Sequence, residues 1–346
     1  MTKDELSAQE IALYDRQIRL WGMATQLRLR SSKILIINLG AVGTEIVKNL
    51  VLGGLNTIEI LDDSVVKPED FAGQFFLPND DSVVGQTKLP LVVDRIRELN
   101  NRVNLSINTE SLDSLIANKQ YVKAFDLVIA TELDKQMILK LNDITRELNI
   151  PLYVSGMHGM FGYILTDLIE HTSVSVKEAG NQPRVVGTEL SRNKTITNVE
   201  SKEKSNDEIV TIRDVFSPLK EIFKSQELPK QLNKRQLKRL SGVVPLIFAL
   251  FDITRPNDPD TVIDVEVLRV KAIEICNLLN IPAETVTPDY LDVFSRQAFA
   301  EFAPVAAVIG GALAQDIIQF LSKKESPINN VLILDAVNSE MPIYSL

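Results

Sequence analysis

The sequence predicts an α/β fold: a Rossmann-like, mostly parallel sheet with helices on both faces, carrying a mainly helical insert. Three observations predict it. A short apolar run over 33–38 leads through a glycine turn to helical spacing over 44–52 and a strand at Thr57–Leu61, which together make a βαβ unit. Strand-like runs at 103–107, 126–130 and 151–155 alternate with helix patterns at Lys88–Leu99 and 134–148. Near the end, a small apolar helix over 304–321 and a strand at Val331–Asp335 have the character of elements that return to the first sheet.

Taken in order, Ser7-Ala8-Gln9-Glu10 is a capping box, so a helix starts there and carries Ile11, Tyr14, Ile18 and Leu20 through about three turns. Arg16 and Arg19, three apart, share one of its faces. After Leu168 the chain turns polar. Residues 171–207, with Gly180, Pro183, Gly187 and a charged run over 200–207, read as a mobile loop or linker. From 217 to 299 the pattern is helical, over 230–251 with a break near Gly242 and Pro245, then 262–279 and 288–299. The expected organisation is a first domain part over 1–168, a polar loop plus helical insert over 169–300, and the return over 301–346.

Composition narrows the function. The 346 residues, 45% hydrophobic and 24% charged, suffice for one large domain with an insert. Lys+Arg 37 against Asp+Glu 46 leaves a net charge of -9, which disfavours nucleic acid and anionic membranes and favours a protein or small-molecule partner. With no N-terminal signal pattern and no apolar run of membrane-spanning length, a soluble intracellular protein is expected. One cysteine, Cys276, forms no intrachain disulfide, and with two histidines it makes no Cys-rich zinc site, so no structural metal is expected. Its apolar helical neighbours point to an inert thiol. His158, in the glycine-rich stretch 156–162, reads as a packing residue, and His171 opens the polar loop without a signal. Trp21 reads as an interface anchor. Asn193-Lys194-Thr195 fits the glycosylation pattern, which an intracellular chain does not use.

The phosphate-loop candidate is Asn38-Leu39-Gly40-Ala41-Val42-Gly43, with the second and third glycines of G-x-G-x-x-G and asparagine at the first. Such a turn at a helix N-terminus lets backbone N–H groups approach a pyrophosphate. A tight turn without ligand fits these residues equally well.

Five segments, in order, carry a resemblance. They are Tyr14-Asp15-Arg16-Gln17-Ile18-Arg19-Leu20-Trp21-Gly22, the glycine loop, Val84-Gly85-Gln86-Thr87-Lys88, Phe125-Asp126-Leu127-Val128, and 304–315 with the late strand. Over about 8–168 and 300–346 the chain resembles the activating enzymes of ubiquitin-like proteins, in the ThiF/MoeB-like adenylation superfamily, and in detail their small, Aos-type SUMO-pathway subunits. The resemblance implies that two homologous adenylation halves pair and that only one uses ATP to adenylate the modifier's C-terminal carboxylate.

Residue by residue, the resemblance makes this chain the other half. The family's ribose aspartate falls on Ser64, beside Asp62 and Asp63. Its Asn-x-x-Arg-Gln-Phe element falls on Asp70-Phe71-Ala72-Gly73-Gln74-Phe75, so the triphosphate meets an aspartate and loses an arginine. Its magnesium aspartate falls on Leu133, with Asp134 one position late; leucine cannot ligate a hard cation. Lys88 matches, but with Gly40 and Gly43 it is a remnant or a salt-bridge partner. No cofactor is expected in this chain; ATP and Mg2+ belong to the partner. The family's N-terminal arginine, here Arg16, reaches the partner's ATP phosphates in trans. The alternative is a surface arginine paired with Glu10 or Asp15. The implied partners are the large catalytic subunit, which carries the thioester cysteine, and through it SUMO and its conjugating enzyme. The implied location is nuclear, with cytoplasmic presence, and the isolated chain is expected to be inactive. Competing readings are a homodimeric sulfur-carrier adenylyltransferase, the corresponding NEDD8-pathway subunit, and a nicotinamide-dependent oxidoreductase using Asp62 on ribose.

Overall fold

A computed structural model of the chain describes residues 6–202, 206–238 and 240–346. The N-terminal segment forms three short helices, α1 (Ala8–Leu13), α2 (Asp15–Trp21) and α3 (Met23–Ser31), where the spacing predicts one. The Ser7–Glu10 capping box forms. The break falls at Tyr14, whose buried ring lies over Gly54, where a Cβ would come within 2.5 Å of Tyr14 Cζ. Asn100 Nδ2 donates to the Tyr14 hydroxyl at 2.8 Å. Burying that ring with its polar end satisfied outweighs continuing one marginal helix.

The first βαβ unit is β1 (Lys33–Ile37), α4 (Ala41–Gly53) and β2 (Thr57–Leu61). Then follow α5 (Lys88–Leu99), β3 (Asn104–Asn108), α6 (Leu112–Ala117), α7 (Lys119–Val122), β4 (Leu127–Thr131), α8 (Lys135–Glu147) and β5 (Leu152–His158). These strands are parallel in the order β5-β4-β1-β2-β3, and Ile34 to Ile37 pair with Leu127 to Ala130 across the point where the order reverses. Every residue of β4 is buried, as in a strand covered on both faces. β6 (Phe161–Asp167) turns back antiparallel on β5.

Residues expected to be a loop instead form a second sheet. β7 (Glu170–Glu178), β8 (Glu189–Ser191), β9 (Lys194–Ser201) and β10 (Asp207–Val215) are antiparallel in the order β7-β10-β9-β8. Along β10, Glu208, Val210, Ile212 and Asp214 are buried and alternate with more exposed residues. The period of two is present, but polar side chains fill most of it, and among the described residues the buried apolar cluster is Ile196, Val210 and Ile212, with Val199 against it. Of the charged run 200–207, residues 203–205 lie outside the described residues.

The insert continues as α9 (Leu219–Ile222), α10 (Leu228–Gln231), α11 (Lys234–Leu237), α12 (Val243–Leu250), α13 (Val265–Leu279) and α14 (Pro288–Gln297). The helix expected over 230–251 is thus divided, with Pro245 in the first turn of α12, where no intrahelical donor is lost. The insert shares one core with the sheet: Phe161 of β6 stacks on Phe294 of α14 with centroids 4.1 Å apart. α15 (Ala303–Ser322) packs against α4, Gly310 meeting Val42 and Glu45 while Gly53 meets Ile318, so both helices run the same way. At 20 residues α15 is by length and mean composition able to cross a membrane, but its apolar run is interrupted, as expected, by Gln315 and Asp316; the buried Asp316 accepts from the Tyr153 hydroxyl at 2.7 Å. β11 (Val331–Asp335) joins β6 antiparallel, and β12 (Ile343–Tyr344) ends the sheet.

Candidate nucleotide pocket and the Arg16 helix

A cavity of about 410 Å³ opens at the carboxyl ends of β1 and β4, the switch point where open α/β sheets take ligands. The two loops there are tied together. Asn38 Nδ2 donates to the Thr131 carbonyl at 2.8 Å, and Thr131 Oγ1 donates to the Asn38 carbonyl at 3.1 Å. Asn38 has φ 66°, a left-handed conformation that asparagine tolerates better than most residues, which accounts for its place at the first glycine position. Gly43 is required by packing, since a Cβ there would lie 2.4 Å from the Asn38 carbonyl oxygen.

The positions that the resemblance gives to a nucleotide are otherwise engaged. Lys88 is buried with its Nζ 3.1 Å from Asp70 Oδ1 and 4.0 Å from Asp62 Oδ2, so the matching phosphate lysine is spent on an internal ion pair. Asp62 accepts from the Leu39 and Ser64 backbone N–H groups at 2.9 and 2.8 Å, committing both oxygens to the turn. At Gly73 a Cβ would lie 2.4 Å from Ala41 Cβ, so no side chain is accommodated where the family has its arginine. Leu133 supplies no ligand, and neighbouring Asp134 caps α8, accepting from Met137 N–H at 2.9 Å. Among the described residues, no group of three or more His, Cys, Asp or Glu is arranged to hold a metal.

Two acids that no sequence pattern singles out face the same cavity. Glu301 Oε1 accepts from Ala41 N–H, the first residue of α4, at 3.0 Å. Glu132, in a left-handed conformation after β4, accepts from Met157 N–H at 2.9 Å. Burial and the Glu301 charge push the Glu132 carboxyl up to about 8, and burial, then Asp70, raises Glu301. Arg255, also lining the cavity, opposes both shifts. His158 ends β5, and its Nδ1 accepts from Phe299 N–H at 3.1 Å; burial and Arg255 push its pKa down to about 3. That is a packing histidine. His171 lies on β7, buried against the Phe320 ring, with its pKa pushed down to about 4 by burial. Cys276 is buried in α13, and burial raises its thiol to about 11.

Arg16 is exposed on α2, a helix fixed at several points. Gln17 Nε2 donates to the Leu52 carbonyl at 3.2 Å, Lys324 Nζ to the Trp21 carbonyl at 2.6 Å, and Trp21 Nε1 to Gln26 at 3.0 Å. The carboxylates expected to compete for Arg16 are taken: Asp15 pairs with Arg19 at 2.8 Å, and Glu10 with Arg30 at 2.9 Å. Among the described residues Arg16 has no ion-pair partner.

A family model for ThiF matches residues 14–346. The chain belongs to the ThiF family. Among its ThiF-family relatives, DNA damage tolerance protein RHC31 of Saccharomyces cerevisiae is 41% identical over 349 residues, covering 99% of each chain. SUMO-activating enzyme subunit 1 of Homo sapiens is 31% identical over 340 residues, covering 96% of this chain and 94% of the relative. The Aos-type resemblance therefore extends through the insert. The crystal structure of Escherichia coli MccB with MccA-N7isoASN shares the ThiF-type fold, with a TM-score of 0.56 and 14% identity over 99% of this chain and 73% of that one.

Proposed function

We propose that this chain is the non-catalytic subunit of a SUMO-activating enzyme and that Arg16 completes the ATP site of the large catalytic subunit in trans. The observation that carries the proposal is the exposed Arg16, held on an anchored helix with no ion-pair partner among the described residues while its neighbours are paired. A fixed guanidinium can grip phosphate oxygens and stabilise the charge that develops as pyrophosphate leaves. Supporting it, the nucleotide positions of this chain's own cavity are otherwise engaged, so ATP and Mg2+ belong to the partner, as does the thioester cysteine. SUMO and its conjugating enzyme are engaged through the complex, in the nucleus and also the cytoplasm.

The test is ATP–pyrophosphate exchange by the complex reconstituted with the large subunit. Arg16→Ala lowers the rate by about 100-fold or more, the scale of removing one transition-state donor, while gel filtration shows the heterodimer intact. Wild-type exchange by this variant would refute the role, and exchange by the isolated chain would refute the assignment as a non-catalytic half.

A further inference from the structure

The loop over 38–40 and the first turn of α4 have the form of a phosphate cradle, yet the group in it belongs to the same chain. Glu301 lies 260 positions beyond Ala41, between α14 and α15, and its Oε1 accepts the Ala41 N–H. A Cβ on Gly40 would lie 2.4 Å from that same oxygen. The space that glycine leaves, which elsewhere admits a pyrophosphate, is here filled by a carboxylate. The N-terminus of a helix carries partial positive charge and unpaired N–H donors, so an anion is the favoured occupant.

We propose that Glu301 is the built-in ligand of this cradle: its carboxylate holds the place a nucleotide phosphate would need and closes the pocket to phosphate-bearing ligands. The exclusion is additional to the missing ribose, triphosphate and magnesium contacts. It concerns this chain's own pocket, so it stands or falls separately from the action of Arg16 in trans. A phosphate entering the cradle has to displace Glu301 into a cavity that already holds Asp62, Asp70 and Glu132. Lys88, the cation nearest in the family pattern, is already paired with Asp70, so the added charge meets Lys67 and Arg255 on the cavity lining against those three carboxylates. The same contact ties the α14–α15 connection to the loop after β1, so one side chain both fills the site and fastens the returning segment.

A double-mutant cycle on the full chain reads the contact directly. Gly40 has φ -77° and ψ -164°, which any residue adopts, so Gly40→Ala adds only a methyl group against Glu301. With Glu301 present, Gly40→Ala lowers the melting temperature by about 2 °C or more, because the carboxylate must leave the Ala41 N–H. In a Glu301→Ala background the same change costs less than half as much. Equal costs in both backgrounds overturn the contact. Inorganic phosphate then tests the exclusion: it raises the melting temperature of Glu301→Ala saturably and more than that of wild type. Equal shifts, including none in either protein, overturn it. Should Glu301→Ala not fold, Glu301→Asp withdraws the carboxylate by one methylene and serves for both measurements with the same expected signs.

Discussion

Arg19 Nη2 lies 2.8 Å from Asp15 Oδ2, one turn apart on α2, and this pair occupies the carboxylate adjacent in sequence to Arg16. Two arginines three apart therefore have different circumstances. Arg16→Lys keeps the charge but not the planar fork, and recovers only part of the exchange lost in Arg16→Ala. Arg19→Ala frees Asp15 to compete for Arg16, so it lowers exchange too, by no more than about tenfold, the effect of a misdirected rather than a missing group. Initial rates of pyrophosphate exchange at fixed subunit ratio separate the three variants; equal losses for Arg16→Ala and Arg19→Ala would remove the distinction.

Restoring the family's triphosphate arginine does not restore a nucleotide site. At Gly73 the first side-chain atom already meets Ala41 Cβ at 2.4 Å, at the start of α4. Gly73→Arg forces the turn at Pro68–Ala72 away from the glycine loop and destabilises by about 1–3 kcal/mol, the usual cost of overpacking. Urea unfolding measures that loss. Equilibrium dialysis with ATP then gives no more binding than wild type, since Lys88 and the Ala41 N–H remain engaged.

What the sequence disclosed follows from range and polarity. The strands of the first sheet are runs rich in apolar residues bounded by turns, so the parallel β2 and the antiparallel β11 match the predicted limits at both ends, as does the helix α5. Their signals are local. The second sheet was illegible because its inward positions include His171, Ser173 and Asp214, which make a strand of period two look like a polar linker. The glycine loop was legible as a strand-to-helix turn, and Asp70, Gly73 and Leu133 as departures from the family's pattern. What closes the cradle was not legible: Glu301 and Ala41 are 260 positions apart, and no local pattern marks a lone acid ahead of an apolar helix as the partner of that N–H. The split of the first helix likewise depends on Tyr14 meeting Gly54, a contact made only once α4 is in place.

Among the shifted groups, His158 and Glu132 change stability with pH in opposite directions. The folded pKa of His158, about 3, lies below the usual 6.5, so its neutral-state stabilisation is complete above pH 6.5 and is lost as pH falls toward 3. Glu132 is raised to about 8 from 4.5, so its contribution is complete below pH 4.5 and is lost as pH rises toward 8. Between about 4.5 and 6.5 the two slopes oppose each other. Above 6.5 Glu132 dominates this pair, and stability declines to about pH 8. Glu132→Gln keeps an acceptor for Met157 N–H and removes that decline. Melting temperatures of wild type and variant across pH 6 to 9 converge at the acid end and separate with rising pH; parallel curves would assign the titration elsewhere.

On the proposed division of labour, Cys276 takes no part in modifier transfer. It sits in the core of α13 with Leu268, Ala272 and Ile275 also buried, and burial, then the Glu284 charge, raises its thiol to about 11. At pH 8 only about one molecule in a thousand carries the thiolate, which is the nucleophilic form. An aromatic disulfide reagent therefore labels the native chain slowly and labels it at once in denaturant. Cys276→Ala removes a buried sulfur and costs about 1 kcal/mol through the small cavity left behind, measurable by urea unfolding. In the reconstituted complex this variant forms the modifier thioester at the wild-type rate, read on non-reducing gels. Loss of that thioester with the heterodimer intact would place the acceptor in this subunit and reverse the division of labour between the two halves.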